Sequence, residues 1–460
     1  MNQPQQNVIE NVLYDEIEVG QSARLVRTLT LEDIRAFAAV SGDVNPAHLD
    51  TSFANESMFH GVIGHGMWTG SLVSTVLGTV FPGPGTIYLE QSFRFKRPVR
   101  IGDTLTVIVT VAEKNDEKHS LLLDCVINNQ NGDQVVVGQA KVMAPTEKII
   151  RPRMGTPKLN LFDPETRVQS FIASLEVEHP ISVGIIHPTD QASLTAALEM
   201  AETGKLNPVL IGPEPKIRGL AEELGIDLQT MQIVDAEHSH QAALIACQMA
   251  VAGDLESLHR GNLDTKEIVD AIRQTPELHT KSSLSHVFRF DIPLYDKPLL
   301  LTDAVLHHKP TLTDKVVIVQ NAICVAQHLG IETPKVALLS AVEKIDPEYQ
   351  STLDAAALCK MADRKQITGG ELDGPIAFDQ AVSDPSDGIG YSDVLVAPDN
   401  ESANMLAKQL EYFAGASSCG ILVGARVPVG LAMRSASVQS QVLSAIFAGT
   451  IAERFRSEKP

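Results

Sequence analysis

Basic residues are scarce in this chain: 37 Lys and Arg stand against 57 Asp and Glu, a formal charge of −20. That balance argues against nucleic acid or an anionic membrane as the main partner, since both require basic surface. Anionic small molecules stay open, because a few placed arginines suffice for them. Long apolar runs are missing too: none approaches the ~20 residues of a membrane span, so no membrane partner is expected. The opening Met1-Asn-Gln-Pro-Gln-Gln6 lacks a basic stretch leading into an apolar one, so no secretory leader is expected. Cysteine is sparse, with Cys125, Cys247, Cys324, Cys359 and Cys419 scattered and no Cys-x-x-Cys. This fits reduced, mostly buried thiols in a cytoplasmic protein, and no metal site is expected. The second half has no Ser–His nucleophile motif and no Gly-x-x-x-x-Gly-Lys-Ser/Thr loop. Gly424-Ala-Arg-Val-Pro-Val-Gly430 is only a pair of glycines.

What is present is ordinary globular material: 460 residues, 44% hydrophobic and 20% charged, enough for two or three domains. Residues 10–145 read as helix and then antiparallel sheet. Thr30-Leu-Glu-Asp33 has the form of a capping box, and Leu31, Ile34, Phe37 and Ala38 follow at helical spacing. Gly42 should end that helix. A second helix is predicted over His65–Leu77, apolar nearly all round and stopped by Gly78. Four alternating strands follow at Thr86–Phe95, Thr104–Ala112, Ser120–Asn128 and Gln134–Met143, with Asn131-Gly132 turning the last pair. One buried helix wrapped by a curved antiparallel sheet is the simplest packing. Residues 146–165, with Pro152, Pro157 and Pro164, read as a linker.

From residue 166 onward the rhythm is strand and helix. Short apolar strands are predicted at Ser182–His187, Pro208–Gly212, Met231–Val234, Leu299–Thr302, Lys335–Ala341, Asp393–Ala397 and Gly420–Val423. Helices fall between most of them, at 191–203, 240–252, 314–329, 352–362 and 402–415. Such alternation implies a parallel sheet with helices on both faces. Nearly 300 residues exceed one ordinary core, so two lobes with a cleft are expected. Ligands in such folds bind beyond the carboxyl ends of strands. Asp303, Asp373, Asp399, Glu401, Asn404 and Arg434 are the candidates there, although an Asp at a strand end also serves as a helix N-cap.

The most informative segment is Gly42-Asp-Val-Asn-Pro-Ala-His48. Asp43 and His48 lie five positions apart on a loop stiffened by Gly42 and Pro46, and such a pair can hold and polarise one water. Hydrating a double bond conjugated to a thioester needs water activated by a base, a proton for the α-carbon, and donors for the enolate oxygen. Gly64-His65-Gly66 opens the second helix and offers backbone N–H groups for the last role. The residues alone leave a second reading open. Asp43 can simply close an Asx turn, and His65 can be a cap or a packed ring.

That segment resembles the signature of the MaoC-like (R)-specific enoyl-CoA hydratases, together with Val62-Ile-Gly-His-Gly-Met67, Gly85–Val99 and Ile101-Gly-Asp103. The resemblance implies a hot-dog fold and roles for individual residues. Asp43 and His48 become the water-activating dyad, Ser71 the serine of the central helix, and the Gly66 N–H the oxyanion donor. It also implies a homo-oligomer. Trp68 stands where a smaller aliphatic residue is usual, so it either shortens the acyl pocket or packs in the core.

The second half resembles the phosphate acetyl- and butyryltransferases over roughly 165–455. The resemblance rests on Pro334–Glu343, Gln366–Pro375, Pro398–Asn404 and the Arg434 region. It implies acyl transfer between coenzyme A and phosphate in a cleft, with Arg434 gripping phosphate and no bound cofactor. Two departures stand out: Met433 replaces the usual Ser or Thr, and Ser437-Val-Gln-Ser-Gln441 lacks the carboxylate of the acetyltransferase branch. The thiol-activating group is then Asp399, Glu401 or absent. The expected whole is an α+β hot-dog domain (10–145), a linker (146–165) and a two-lobed α/β domain (166–460). Both domains would act on acyl-CoA thioesters. A non-catalytic CoA-binding second domain, regulating or oligomerising the first, is the other outcome.

Overall fold

The computed structural model describes residues 8–155, 164–228, 231–383, 391–433 and 436–457. Backbone contacts divide the chain into two compact units, Met1–Leu161 and Phe162–Pro460.

In the first unit, Thr30 Oγ1 accepts from the Asp33 N–H while the Asp33 carboxylate accepts from the Thr30 N–H. This capping box starts α1 (Leu31–Ser41). Gly42 ends it at φ +73°, a left-handed conformation that costs a residue without Cβ nothing. Short helices α2 (Pro46–Leu49) and α3 (Thr51–Glu56) follow, capped by Asn45 and Asp50. Then comes α4 (Gly66–Thr79), the central helix. Its Val73, Val76 and Leu77 are almost fully buried, each contributing roughly 1.5–3 kcal/mol. Two expectations are corrected here. The helix continues through Gly78, which faces solvent in the last turn, where a glycine costs only about 1 kcal/mol. The helix is also buried on one side only, since Met67, Ser71, Ser74, Thr75 and Gly78 form an exposed stripe.

β1 (Val8–Glu10) pairs with β7 (Ile150–Pro152), which lies inside the segment read as a linker. Between them are β2 (Ser22–Thr28), β3 (Ile87–Phe95), β4 (Thr104–Asn115), β5 (Ser120–Asn128) and β6 (Gln134–Met143). These five make an antiparallel sheet in the order β2-β4-β5-β6-β3. Leu105, Val107, Val109 and Val111 alternate into the core at 1% exposure or less, the period-two pattern of a one-sided sheet. α4 packs against β4 and β2. The four predicted strands are present. The additional one, β2, is an edge strand that turns only Ala23 and Leu25 toward the core.

The second unit is built on one eleven-stranded sheet. Its strands are β8 (Ile181–Ile186), β9 (Leu206–Gly212), β10 (Gln232–Asp235), β11 (Ser257–Arg260), β12 (Ser285–Asp291) and β13 (Leu299–Thr302), then β14 (Lys335–Leu339), β15 (Glu371–Ile376), β16 (Val394–Val396), β17 (Ser417–Val423) and β18 (Val429–Gly430). The order is β10-β9-β8-β11-β18-β17-β12-β13-β16-β14-β15. The all-parallel expectation is corrected. Each flank is parallel, but β12 runs antiparallel to both β17 and β13, and β17 antiparallel to β18. Two parallel half-sheets are thus joined through an antiparallel centre. One apolar core spans both halves, and two separate cores cover the halves on the remaining faces. β12 (Ser-His-Val-Phe-Arg-Phe-Asp) is buried along its whole length although it carries four polar side chains. Arg289 is paired there with Asp291 and stacked 3.9 Å over the Phe171 ring, which removes the cost of an unpaired buried charge. No helix among the described residues is long and apolar enough to cross a membrane.

Candidate active sites

The loop between α1 and α2 and the start of α4 meet at one point. The Asp43 carboxylate accepts from the Asn45 N–H at 3.3 Å, and Asn45 in turn caps α2. The turn expected as the bland alternative therefore exists. It also carries more than a turn requires, because Asp43, His48 and His65 bring ligand-capable atoms within 4.8 Å of one another. Groups at that separation can share one water, each bond being about 2.8 Å.

The tautomers follow from the partners. His48 Nδ1 lies 2.8 Å from the Ile63 carbonyl oxygen, which can only accept, so Nδ1 carries the proton and Nε2 keeps its lone pair. His65 Nε2 donates to the Asp43 carbonyl at 3.0 Å, and its ring lies against His48 with centroids 3.9 Å apart. His65 is 1% exposed and stands at the N-cap of α4 without capping it. It is a packed ring that ties the Asp43 loop to the helix, a positioning role that its place in the sequence did not reveal. With one nitrogen of each imidazole committed to backbone, the trio retains enough donors to reach a divalent cation.

His48, Gly64, Gly66 and Thr69 line a cavity of about 310 Å³ whose other walls include Phe95 and Val99. Gly66 therefore faces the same cavity as His48, and a side chain there would press on the Phe95 ring at 3.2 Å. Ser71 does not join the group: it is exposed and its hydroxyl donates to the Trp68 carbonyl. Trp68 is buried in the core cluster and is not among the residues lining that cavity, as its packing reading expects.

In the second unit the parallel strands β13 and β16 end together. Asp303 follows β13; the residue is buried and its carboxylate is fully used. One oxygen accepts from the N–H groups of Val305 and Leu306, the other from the His286 N–H and from His307 Nδ1 at 2.8 Å. Burial alone would raise its pKa, but the hydrogen bond from His307 and the other donors hold it below the usual carboxylate range. The same bond raises the pKa of His307. Asp399 caps the helix Asn400–Tyr412, accepting from the Ser402 N–H at 2.8 Å. Asn404 reaches the Ala304 carbonyl at 3.4 Å. Glu401 is exposed in the first turn of that helix. Asp303, Asp399 and Asn404 are thus gathered around the loop 303–308. Asp373 is not: it lies inside the edge strand β15, opposite Ala337 and exposed, which corrects its placement at a strand end. Arg434 lies outside the described residues.

The structure adds groups that the sequence reading passed over. Arg260, at the end of β11, donates to the carbonyls of Ala432 and Met433, just before Arg434. Loops from both half-sheets enclose a cleft of about 810 Å³ lined by Lys266, Arg273, Lys281 and three histidines, with Asp314 the one acid among its lining residues. The spacing Asp303-x-x-x-His307 after a strand was the available signal for that loop.

His259 and His286 are buried in the same region. Burial depresses their pKa values to about 3 and about 4 from 6.5. Both are therefore neutral in the folded state, while the unfolded chain takes up a proton on each near pH 6.5. The stability this contributes is complete above pH 6.5 and is lost as pH falls toward 4. Urea titration of the second unit between pH 6 and pH 4.5 is expected to show stability falling by up to about 2.7 kcal/mol per pH unit, two protons' worth. A flat profile across that window would contradict the burial of two neutral imidazoles.

Comparison with known proteins places these two regions in context. Residues 239–449 match the family described as Phosphate acetyl/butaryl transferase, and residues 15–124 match the MaoC like domain. A phosphate acetyltransferase of Rhizobium meliloti is 41% identical over 301 residues, 64% of this chain and 95% of the relative. A branched-chain phosphotransacylase from Enterococcus faecalis is 28% identical with a TM-score of 0.53, covering 59% of this chain and 99% of that one. The unliganded R-hydratase PhaJ1 from Pseudomonas aeruginosa is 44% identical with a TM-score of 0.33, covering 34% of this chain and 99% of that one.

Proposed function

Because this chain belongs to the phosphate acetyl/butyryltransferase family through its second unit and carries a MaoC-like domain in its first, we propose that it is a bifunctional acyl-CoA enzyme. Residues 10–145 hydrate trans-2-enoyl-CoA to (R)-3-hydroxyacyl-CoA. Residues 166–460 transfer acyl groups between coenzyme A and phosphate. Coenzyme A thioesters and phosphate are substrates, and neither half holds a permanent cofactor.

The observation that carries the first activity is the convergence of Asp43, His48 and the Gly66 helix start. Asp43 and His48 hold the water, take one of its protons and supply a proton to the α-carbon. The oxygen adds to the β-carbon, and the electron pair of the double bond moves onto the thioester oxygen beside the Gly66 N–H. Ser71 would serve this site only in a substrate complex, since its hydroxyl is bonded within its own helix.

The second activity is supported by the cleft. In a chain of net charge −20, it gathers Lys266, Arg273, Lys281, His279, His307 and His308 against one acid. That is a local field for anionic phosphates. No protein nucleophile is needed, because the CoA thiolate attacks the acyl phosphate directly. Arg434 grips the phosphate, and Asp303, Asp399 and Asn404 shape the loop beside the cleft.

The reading is tested with purified full chain and a chelator present throughout. Crotonyl-CoA is expected to lose its enoyl-thioester absorbance, and acetyl- or butyryl-CoA to release free CoA only when phosphate is added. Acyl-CoA binding measured by calorimetry without any CoA release would instead make the second unit a binding module, as Met433 and the absent carboxylate suggest. Self-association through β3 follows from its free edge and its exposed Ile87, Leu89 and Phe95. Sedimentation as a monomer would remove that part of the account.

A further inference from the structure

Thiol activation is the one step of acyl transfer for which the sequence supplies no group at the expected place. Ser437–Gln441 has no carboxylate, Asp399 is occupied as a helix cap, and Glu401 is exposed in the first turn of its helix. The geometry points to His307 as the base that deprotonates the CoA thiol, with Asp303 as its positioning residue.

Four observations converge on this assignment. His307 Nδ1 donates to Asp303 at 2.8 Å, which fixes the ring and leaves Nε2 as the nitrogen with a lone pair. Nε2 has no partner among the described residues, and His307 lines the cleft of about 810 Å³. The Asp303 carboxylate is 1% exposed and itself held by three backbone N–H groups, so the pair is preorganised before substrate arrives. Asp303 and Asp314 push the His307 pKa up and Arg273 pulls it down, with a net rise. Lys266, Lys281 and His308 also line the cleft. The Asp303 contact that raises the His307 pKa also makes its imidazole a stronger base.

The step balances as follows. Nε2 of His307 takes the proton from the CoA thiol. The thiolate sulfur bonds to the carbonyl carbon of the acyl phosphate, and the C–O bond breaks with its electron pair leaving on phosphate. The imidazolium then returns its proton to solvent or to the departing phosphate. In reverse, it protonates the leaving thiolate. This assignment rests on the transferase reading of the second unit, so its test must be separable from that reading.

Three proteins are compared: wild type, His307→Asn and His307→Ala. Asparagine can still donate to Asp303 but cannot accept the thiol proton. Two quantities are read: kcat for acyl-CoA formation from acyl phosphate across pH, and the ultraviolet thiolate band of CoA bound near neutral pH. His307→Asn is expected to lower kcat about 100-fold, with little change in KM for CoA. It should also remove the acid limb of the kcat profile and abolish the thiolate band. His307→Asn with wild-type turnover, beside an impaired His307→Ala, would reduce His307 to a loop-positioning residue and overturn the assignment alone. Wild type that binds CoA as a His307-dependent thiolate but never turns over would remove the transferase reading and leave the assignment standing. Neither turnover nor a thiolate band in wild type would overturn both.

Discussion

Replacing Asp43 with Asn is expected to lower the rate of enoyl-CoA hydration by at least about 100-fold, the lower end of what a positioned general acid–base group contributes. The fold should not notice. Asp43 is exposed, and the bond its carboxylate accepts from the Asn45 N–H at 3.3 Å can be accepted equally by an asparagine oxygen. The melting temperature and far-ultraviolet spectrum of the variant should therefore match those of wild type. His48→Gln should lose a similar factor, because the glutamine oxygen is too weak a base to replace Nε2. The double variant should be hardly worse than either single one, since both groups act on the same water and their effects do not add. Full hydration by Asp43→Asn would leave the loop as the Asx turn it also is, and the dyad assignment would fall.

Arg434→Gln is expected to reduce phosphate-dependent CoA release by about 100- to 1,000-fold, the usual cost of removing one donor from charge that develops in a transition state. Arg434→Lys should not recover it, because a point charge cannot grip two phosphate oxygens as a planar guanidinium does. KM for phosphate should rise in both variants, while hydration by the first unit stays at its wild-type rate. Undiminished CoA release by Arg434→Gln would shift the phosphate site to the cations of the large cleft, Lys266, Arg273 and Lys281.

Where burial is one-sided, the sequence was a good guide. β4 buries every second residue from Leu105 to Val111, and α1 carries both its capping box and its terminating Gly42. The pattern fails where burial is two-sided and polar. β12 is fully buried yet carries His286, Arg289 and Asp291, because Arg289 and Asp291 are each other's partners within the strand and burial keeps His286 neutral. No hydropathy count can foresee those partners. Without β12, the antiparallel centre of the large sheet could not be anticipated, and the parallel flanks suggested a parallel whole. β2 escaped notice for the opposite reason: an edge strand buries too little to declare itself.

The first candidate site was legible because its two candidate groups fall within six consecutive positions, from Asp43 to His48. Only His65 was undervalued, since its bond to the Asp43 carbonyl spans 22 positions. The second site was legible only in pieces. Asp303 was visible at a strand end, but its value lies in the four donors it gathers, and His307, four positions on, gains its meaning from that carboxylate. Asp399 looked the same in sequence and proved to be a helix cap.

The measurement that bears most directly on the whole account is a double dissociation in the full chain. Initial rates of crotonyl-CoA hydration and of phosphate-dependent CoA release are compared in Asp43→Asn and Arg434→Gln. The account predicts that each variant loses one rate about 100-fold or more and keeps the other. Two unchanged rates in either variant, or both rates lost together in a folded protein, would contradict two independent acyl-CoA sites in one chain.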